Sequence, residues 1–223
     1  MNKLLKRIIW LIILAPLIYL ALSWKNIPEK VAVHFNLQGQ ADQFGNKNQL
    51  WIGTGVIAVV SILIFLLLTN VYKIDPKKHA AENKDRLLRI GFTIVVFMSV
   101  ISATIVHACD SEGGIKFNIR FVFAAIGFLW AILGNYMHNI KPNYFAGLRL
   151  PWTLENEENW RLTHLLAGKL WFVGGIIIGI AWLFVSTTVG LIITFAIFLP
   201  MVFIPLIYSY RLYKKNKLLN TSK

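Results

Sequence analysis

Gly134-Asn135, then Lys141-Pro142-Asn143-Tyr144-Phe145-Ala146-Gly147-Leu148-Arg149-Leu150-Pro151-Trp152-Thr153-Leu154, then Trp160 and Thr163-His164 form a polar, turn-rich, aromatic stretch between two long apolar runs. A plain connector between membrane spans has little physical reason to concentrate Pro, Asn, Gly, Arg and Trp. The stretch therefore calls for a specific fold, a partner, or both. Pro142 ends helical continuation and biases Lys141 toward an extended backbone. Gly147 permits a turn or a close backbone approach. Arg149 offers a planar fork of donors for a carboxylate, a phosphate or exposed carbonyls. Pro151 pre-sets the backbone ahead of Trp152-Thr153. Thr153 is the expected N-cap of a new helix, with Glu155, Glu157 and Glu158 complementing its positive end. On that helix Trp160, His164 and Gly168 recur at i, i+4 and i+8 and so share one face. A second reading, compatible with the first, makes Trp152 and Trp160 interfacial anchors and gives Arg149 a lipid phosphate or a helix end.

The surrounding chain decides the class. Its 223 residues are 57% hydrophobic and 15% charged, with a mean hydropathy of +0.60, too apolar for an ordinary water-soluble domain. Six apolar segments of helical length appear, at 8–24, 51–72, 88–108, 119–137, 165–185 and 188–210. Each is long enough to cross a hydrocarbon core about 30 Å thick. The last two are nearly continuous and predict a tight hairpin with Ser186-Thr187-Thr188 at its tip. The first segment, with Lys3, Lys6 and Arg7 before it and Ala21-Leu22-Ser23 at its end, also has the outline of a signal peptide. Its length favours a retained helix.

Orientation follows from the basic residues. With a cytoplasmic N-terminus, the inner side carries Lys3, Lys6, Arg7, Lys73, Lys77, Lys78, Lys84, Arg86 and Arg89. It also carries Lys141, Arg149, Arg161, Lys169, Arg211, Lys214, Lys215, Lys217 and Lys223, leaving only Lys25, Lys30, Lys47, Lys116 and Arg120 outside. The net charge of +13 is thus spread along membrane edges as a topology signal and not gathered into a nucleic-acid stripe. Trp10, Trp24, Trp51, Tyr72, Trp171, Tyr208 and Tyr210 sit near the proposed span ends, as an aromatic belt requires. The expected fold is an all-α polytopic membrane protein of six transmembrane helices, N-in and C-in. A small ordered extracytoplasmic loop (25–50) follows the first helix, and a motif-bearing cytoplasmic loop (139–164) lies between the fourth and fifth. Residues 1–72 would form a two-helix module and 73–223 a four-helix region. Small residues inside the spans, Gly53 and Gly55, Ala124 and Ala125, and Gly175 with Gly179, predict close helix packing within one bundle.

In the outer loop, Val31, Val33 and Phe35 alternate with Ala32 and His34, the period of a short strand. Gly39 and Gly45-Asn46 are the expected turns. The loop reads as a small cap offering His34, Phe35, Asn36, Gly39, Asp42, Phe44, Gly45 and Lys47 to an external ligand. His34 lacks a second nitrogen or sulfur ligand at metal spacing, so a hydrogen-bonding role is expected of it. Cys109 is the sole cysteine, which excludes an internal disulfide and a thiolate cluster. No catalytic motif, phosphate-cradling loop or metal set is present, and no cofactor is expected. The span centres hold no Asp, Glu, Lys or Arg of the kind that marks an ion path.

The stretch Gly134-Asn135 through Lys141-Pro142-Asn143-Tyr144-Phe145, Gly147, Arg149, Pro151-Trp152-Thr153-Leu154, Trp160, Thr163-His164 and Gly168 resembles the signature of the SdpI family, bacterial membrane proteins that confer immunity to a secreted killing peptide. The segment Ile27-Pro28, Val33-His34-Phe35-Asn36, Gly39, Asp42 and Gly45-Asn46-Lys47 is similar to a small module that commonly precedes that signature. Leu150 departs from it, since a polar Thr is frequent there. The resemblance implies a non-enzymatic immunity and signalling protein of the bacterial cytoplasmic membrane. Its outer loop would face a peptide toxin, and its inner motif would face a soluble winged-helix repressor. The residues implied for the inner partner are Asn135, Lys141, Pro142, Asn143, Tyr144, Gly147, Arg149, Pro151, Trp152, Thr153, Trp160 and His164. A membrane protein that binds lipid or peptide, with Arg149 and the tryptophans on a headgroup, is the first alternative, and a transporter or an unrecognised membrane enzyme comes third.

Overall fold

The computed structural model describes residues 3–36, 40–77, 80–110 and 118–221. Gly39, Lys78, Lys116 and Lys223 lie outside them, as do the side chains of Lys3, Lys6 and Phe35. The elements are α1 (Lys3–Ser23), β1 (Lys30–Phe35), β2 (Ala41–Asn46), α2 (Asn48–Asn70), α3 (Lys84–Asp110), α4 (Ile119–Met137), α5 (Pro151–Glu155), α6 (Glu157–Phe184) and α7 (Thr187–Thr221). Two short 3-10 turns, Val71–Lys73 and Ala80–Asn83, lie between α2 and α3. Five helical stretches are long and apolar enough to cross a membrane: Asn48–Lys73, Ala81–Cys109, Ile119–Met137, Glu157–Phe184 and Thr187–Leu219. The apolar part of α1, Arg7–Ser23, is shorter. Five spans therefore stand among the described residues where the sequence predicted six.

The chain divides into two compact units, residues 1–67 with 91–122 and residues 68–90 with 123–223. In the first, Pro16 lies inside α1. It has no N–H for the carbonyl of Ile12, one turn earlier. Ser99 Oγ on α3 donates to that carbonyl at 2.6 Å, so a gap in one helix is closed from another. At one end of this unit Leu20, Ile27, Val31, Leu50 and Val106 form a buried cluster, with Tyr19 and Trp24 packed against it. Tyr19 Oη meets His107 Nδ1 at 2.9 Å, and the Trp24 and Trp51 rings lie 5.7 Å apart.

Strands β1 and β2 pair antiparallel, with register shifts between Ala32 and His34 and between His34 and Phe35. The strand expected at Val31–Phe35 is present, yet the shifts break its simple alternation: Val31 is buried and Val33 is 44% exposed. Gly45-Asn46, expected to turn, instead ends β2 opposite Val31 and Lys30. A side chain at Gly45 would meet Gln49 and Val33, so the glycine serves close packing. Gly53 and Gly55 differ from expectation too: a Cβ at either meets nothing within 4 Å.

In the second unit, α4 and α6 pack through their small residues. A Cβ at Gly127 would strike the backbone of Gly179, and one at Gly175 the backbone of Ala131 and Gly127. The Gly175/Gly179 pair thus packs within the bundle, as expected. Helices α6 and α7 form the predicted hairpin, with a connection narrowed to Val185-Ser186. Helix α7 runs past Tyr210 to Thr221 because Lys, Leu and Arg sustain a helix after the apolar run ends. It holds Pro200 and Pro205. The carbonyl freed one turn before Pro205, that of Met201, accepts from Trp171 Nε1 at 3.0 Å.

Ser99→Ala is expected to cost about 1–2 kcal/mol by orphaning the Ile12 carbonyl. In a Pro16→Ala background, where residue 16 regains its N–H, the cost should fall below half of that. Thermal unfolding of the detergent-solubilised protein measures both, and equal costs in the two backgrounds would refute the pairing.

Candidate functional site

The motif loop is built on the first turns of α6. Asn156 caps this helix by accepting from Asn159 N at 2.8 Å, and Glu157 and Glu158 occupy its first turn. Thr153, expected as the cap, has another task. Inside α5 its hydroxyl accepts from Leu150 N at 3.0 Å, and its proton lies within reach of the Leu148 and Leu150 carbonyls.

Trp160 and His164, one turn apart on α6, stack at 4.0 Å with an interplanar angle of 19°. Both are fully buried. Trp160 Nε1 donates to the Ile140 carbonyl at 2.7 Å, so this indole anchors the loop and is not the interfacial anchor of the second sequence reading. His164 Nε2 receives the Leu148 N–H at 2.9 Å, while Nδ1 lies 2.8 Å from the Trp160 carbonyl. A backbone N–H can only donate, so Nε2 carries the lone pair and Nδ1 the proton. His164 is therefore a neutral imidazole clasping the loop to the helix. Gly147, at φ 109°, brings its backbone onto the same pair of rings. A Cβ there would strike His164 and come within 3.3 Å of Trp160.

Asn143, 1% exposed, uses its whole amide. Nδ2 donates to the carbonyls of Lys141 and Ala146, and Oδ1 accepts from the N–H groups of Phe145 and Ala146, all at 2.7–3.0 Å. The segment before α3 completes the frame. Asn83 grips the backbone of Lys141 through both amide atoms. Asp75 accepts from Tyr144 N at 2.9 Å, and Lys77 Nζ donates to the Leu154 carbonyl at 2.6 Å. On the far side Trp152 Nε1 donates to Ser209 Oγ, and Asn159 Nδ2 to the Ser209 carbonyl, each at 3.0 Å. Trp152 also stacks on Tyr213 of α7.

The sequence-predicted residues thus separate into two sets. Pro142, Asn143, Thr153, Trp160 and His164 are buried, Gly147 and Trp152 partly so, and all shape the loop. Asn135, Lys141, Tyr144, Arg149 and Pro151 are exposed. Arg149 Nη1 holds the Tyr144 carbonyl at 2.7 Å. Beside the loop opens a cleft of about 570 Å³, whose charged lining includes Arg86, Lys141, Arg161, Glu157 and Glu158. Sequence reasoning missed Asp75, Asn83, Asn156, Asn159 and Ser209. Only Asn156 carried a signal, an Asn before two glutamates.

In the first unit, the residues expected to face an external ligand are only partly available. His34 Nδ1 and Asp42 Oδ1 meet at 2.6 Å on the exposed hairpin, the hydrogen-bonding role expected of that histidine. Phe44 is 64% exposed. Asn36 Oδ1 accepts from Gln40 N at 2.9 Å. Lys47 is engaged by Glu29 at 2.9 Å and lies over the Trp24 ring.

The clasped loop lies inside one of two stretches of the chain that match a family model. Residues 139–209 match the model of the SdpI/YfhL protein family. Residues 11–58 match a domain of unknown function, DUF1648. The chain is similar to a protein of Bacillus subtilis (strain 168) named Immunity protein SdpI, with 25% identity over 193 residues, 86% of this chain and 87% of that one. No solved structure matches. The stretch matched by the SdpI/YfhL model begins as α4 ends and runs to Ser209, so it takes in the loop, α5, α6 and the helix partner of Trp152. With five apolar helices, the chain is a multi-pass membrane protein.

His164→Phe keeps the stacking but leaves Leu148 N–H unpaired, and Gly147→Ala forces a side chain into a left-handed backbone. Each is expected to loosen the loop by about 1–3 kcal/mol. The measurement is the rate of tryptic cleavage after Arg149 in the detergent-solubilised protein. That rate should rise severalfold in both variants and stay unchanged in Asn135→Ala.

Proposed function

We propose that this chain is a non-enzymatic immunity protein of the bacterial cytoplasmic membrane, protecting the cell from a secreted peptide toxin. The observation that carries the reading is the similarity to Immunity protein SdpI along 86% of the chain. The topology proposed is six spans with both termini in the cytoplasm. Helix α1, at 21 residues and about 1.5 Å per residue, reaches across a hydrocarbon core. The positive-inside assignment puts residues 73–89, the motif loop and the end of α7 on one side. The direct bonds of Asn83, Asp75 and Lys77 to the loop, and of Trp152 to Ser209, support that assignment. Groups that touch one another belong at one face.

The finer part of the reading is a cytoplasmic partner, a winged-helix repressor held at the motif loop. The buried members of the motif set the loop's shape, and Lys141, Tyr144, Arg149 and Pro151 present it. Toxin on the outer side changes affinity on the inner side only by binding one arrangement of the bundle more tightly. A coupling of about 1–3 kcal/mol would change partner affinity by roughly 5- to 150-fold.

The test is survival of a toxin-sensitive bacterium expressing the intact protein, against a panel of purified membrane-active killing peptides. Protection from one peptide class is expected, and none across the panel, with insertion verified, would reject immunity. Arg149→Ala should retain protection and insertion while releasing a co-expressed, fluorescently tagged winged-helix repressor from the membrane. Unchanged recruitment would remove Arg149 from the partner face.

A further inference from the structure

A second pocket of about 330 Å³ lies in the first unit, where β1, the start of α2 and α3 meet. Its apolar wall includes Val33, Leu50, Ile57 and Ile105, and its polar lining includes Ser102. Ser102 is 2% exposed, and its Oγ is the one buried side-chain N or O atom without a hydrogen-bond partner among the described residues. Three other hydroxyls on these helices are satisfied: Ser61 by the Ile57 carbonyl, Ser99 by Ile12 and Thr104 by Val100. A serine in a helix readily bonds the carbonyl one turn back, so an orphaned hydroxyl in an apolar pocket is a group left for something else to meet.

Two further features shape what would meet it. Gly53 lines the pocket and a Cβ there would contact nothing, so a larger side chain can be placed at that wall without a clash. Val33, at the rim, is skipped by the strand pairing: Ala32 pairs with Phe44 and His34 with Gln43. A bulge of this kind re-aims a strand next to a site. In a two-stranded sheet, β1 also keeps a second edge to which an extended chain can add.

We propose that this pocket receives one apolar side chain of an extended peptide lying along β1, with a polar group of that peptide bonded to Ser102 Oγ. A peptide supplies an apolar side chain and N–H and C=O groups together. The hydrocarbon tail of a lipid fills the apolar wall but offers nothing to the hydroxyl, its ester carbonyls lying at the headgroup end. The proposal rests on the immunity reading, which supplies the peptide, and it moves recognition from the exposed hairpin surface to the pocket beneath.

The experiment measures the lethal dose of each purified killing peptide in the panel for cells expressing matched membrane amounts of wild type, Gly53→Leu, Gly55→Leu and Ser102→Ala. Gly53→Leu fills the pocket and should abolish protection. Ser102→Ala should lower the tolerated dose about fivefold, the worth of one hydrogen bond. Gly55→Leu, at an equally open site that does not line the pocket, should protect as wild type does. Protection by wild type and equally by Gly53→Leu overturns the pocket while leaving immunity intact. The same result with phospholipid lost from purified Gly53→Leu assigns the pocket to an acyl chain. Loss in Gly55→Leu as well traces the effect to the helix and also overturns the pocket. Failure of wild type to protect against any peptide removes the immunity reading and the peptide occupant with it.

Discussion

The backbone contact between α4 and α6 positions nearly every other element of the second unit. Gly127 lies against Gly179, Ala131 against Gly175, and Gly134 against Trp171, Phe172 and Gly168, with no room for a Cβ at any of the glycines. In lipid, where apolar surface gains nothing by leaving solvent, such close packing is a main source of helix association. It also fixes register, because a shift of one residue would drive a side chain into a facing backbone. With α6 held this way against α4, Trp160 and His164 come to lie under the chain that leaves α4. The Ile140 carbonyl and Leu148 N–H then find their partners in those two side chains.

A second constraint runs through the molecule: polar groups inside an apolar medium must be paired. Prolines in α1 and α7 each free a carbonyl, and Ser99 and Trp171 close the two gaps described. The same accounting governs the loop, where Asn143 satisfies four backbone groups with one side chain, and Thr153 accepts from one N–H and shares its single proton between two carbonyls. A buried, irregular loop is tolerable at all only because these short polar side chains stand in for a ladder. Their density in the sequence is that requirement made visible.

The same requirement separates the features that were legible in the sequence from those that were not. Gly147, Asn143, Pro142 and the Trp160/His164 spacing are readable because a special backbone or a shared helix face demands those residue types. The helix hairpin and the apolar spans are readable because length and hydropathy suffice. Asn83, Asp75 and Ser209 were not, since their partners lie 58, 69 and 50–57 residues away and a lone Asn or Ser announces no partner. Thr153 was misread as a cap because it precedes three glutamates, yet Asn156 stands closer to the helix it starts. The strand alternation at Val31–Phe35 was seen, but the register shifts that expose Val33 come from the pairing itself. The turn assigned to Gly45-Asn46 failed for a related reason, the glycine being needed against Gln49 and Val33.

The clasp on the motif loop has a consequence for biosynthesis. Ribosomes release residues 139–150 before Trp160 and His164, and well before Ser209. During synthesis the loop can therefore engage only the earlier segment, through Asn83 and Asp75, while its remaining anchors are still to be made. Its final shape forms after α6 has settled against α4 and α7 has folded back to offer Ser209 to Trp152. A chain halted anywhere before the last helix displays an unfinished loop, so the finished surface marks a chain in which α7 has been made and packed.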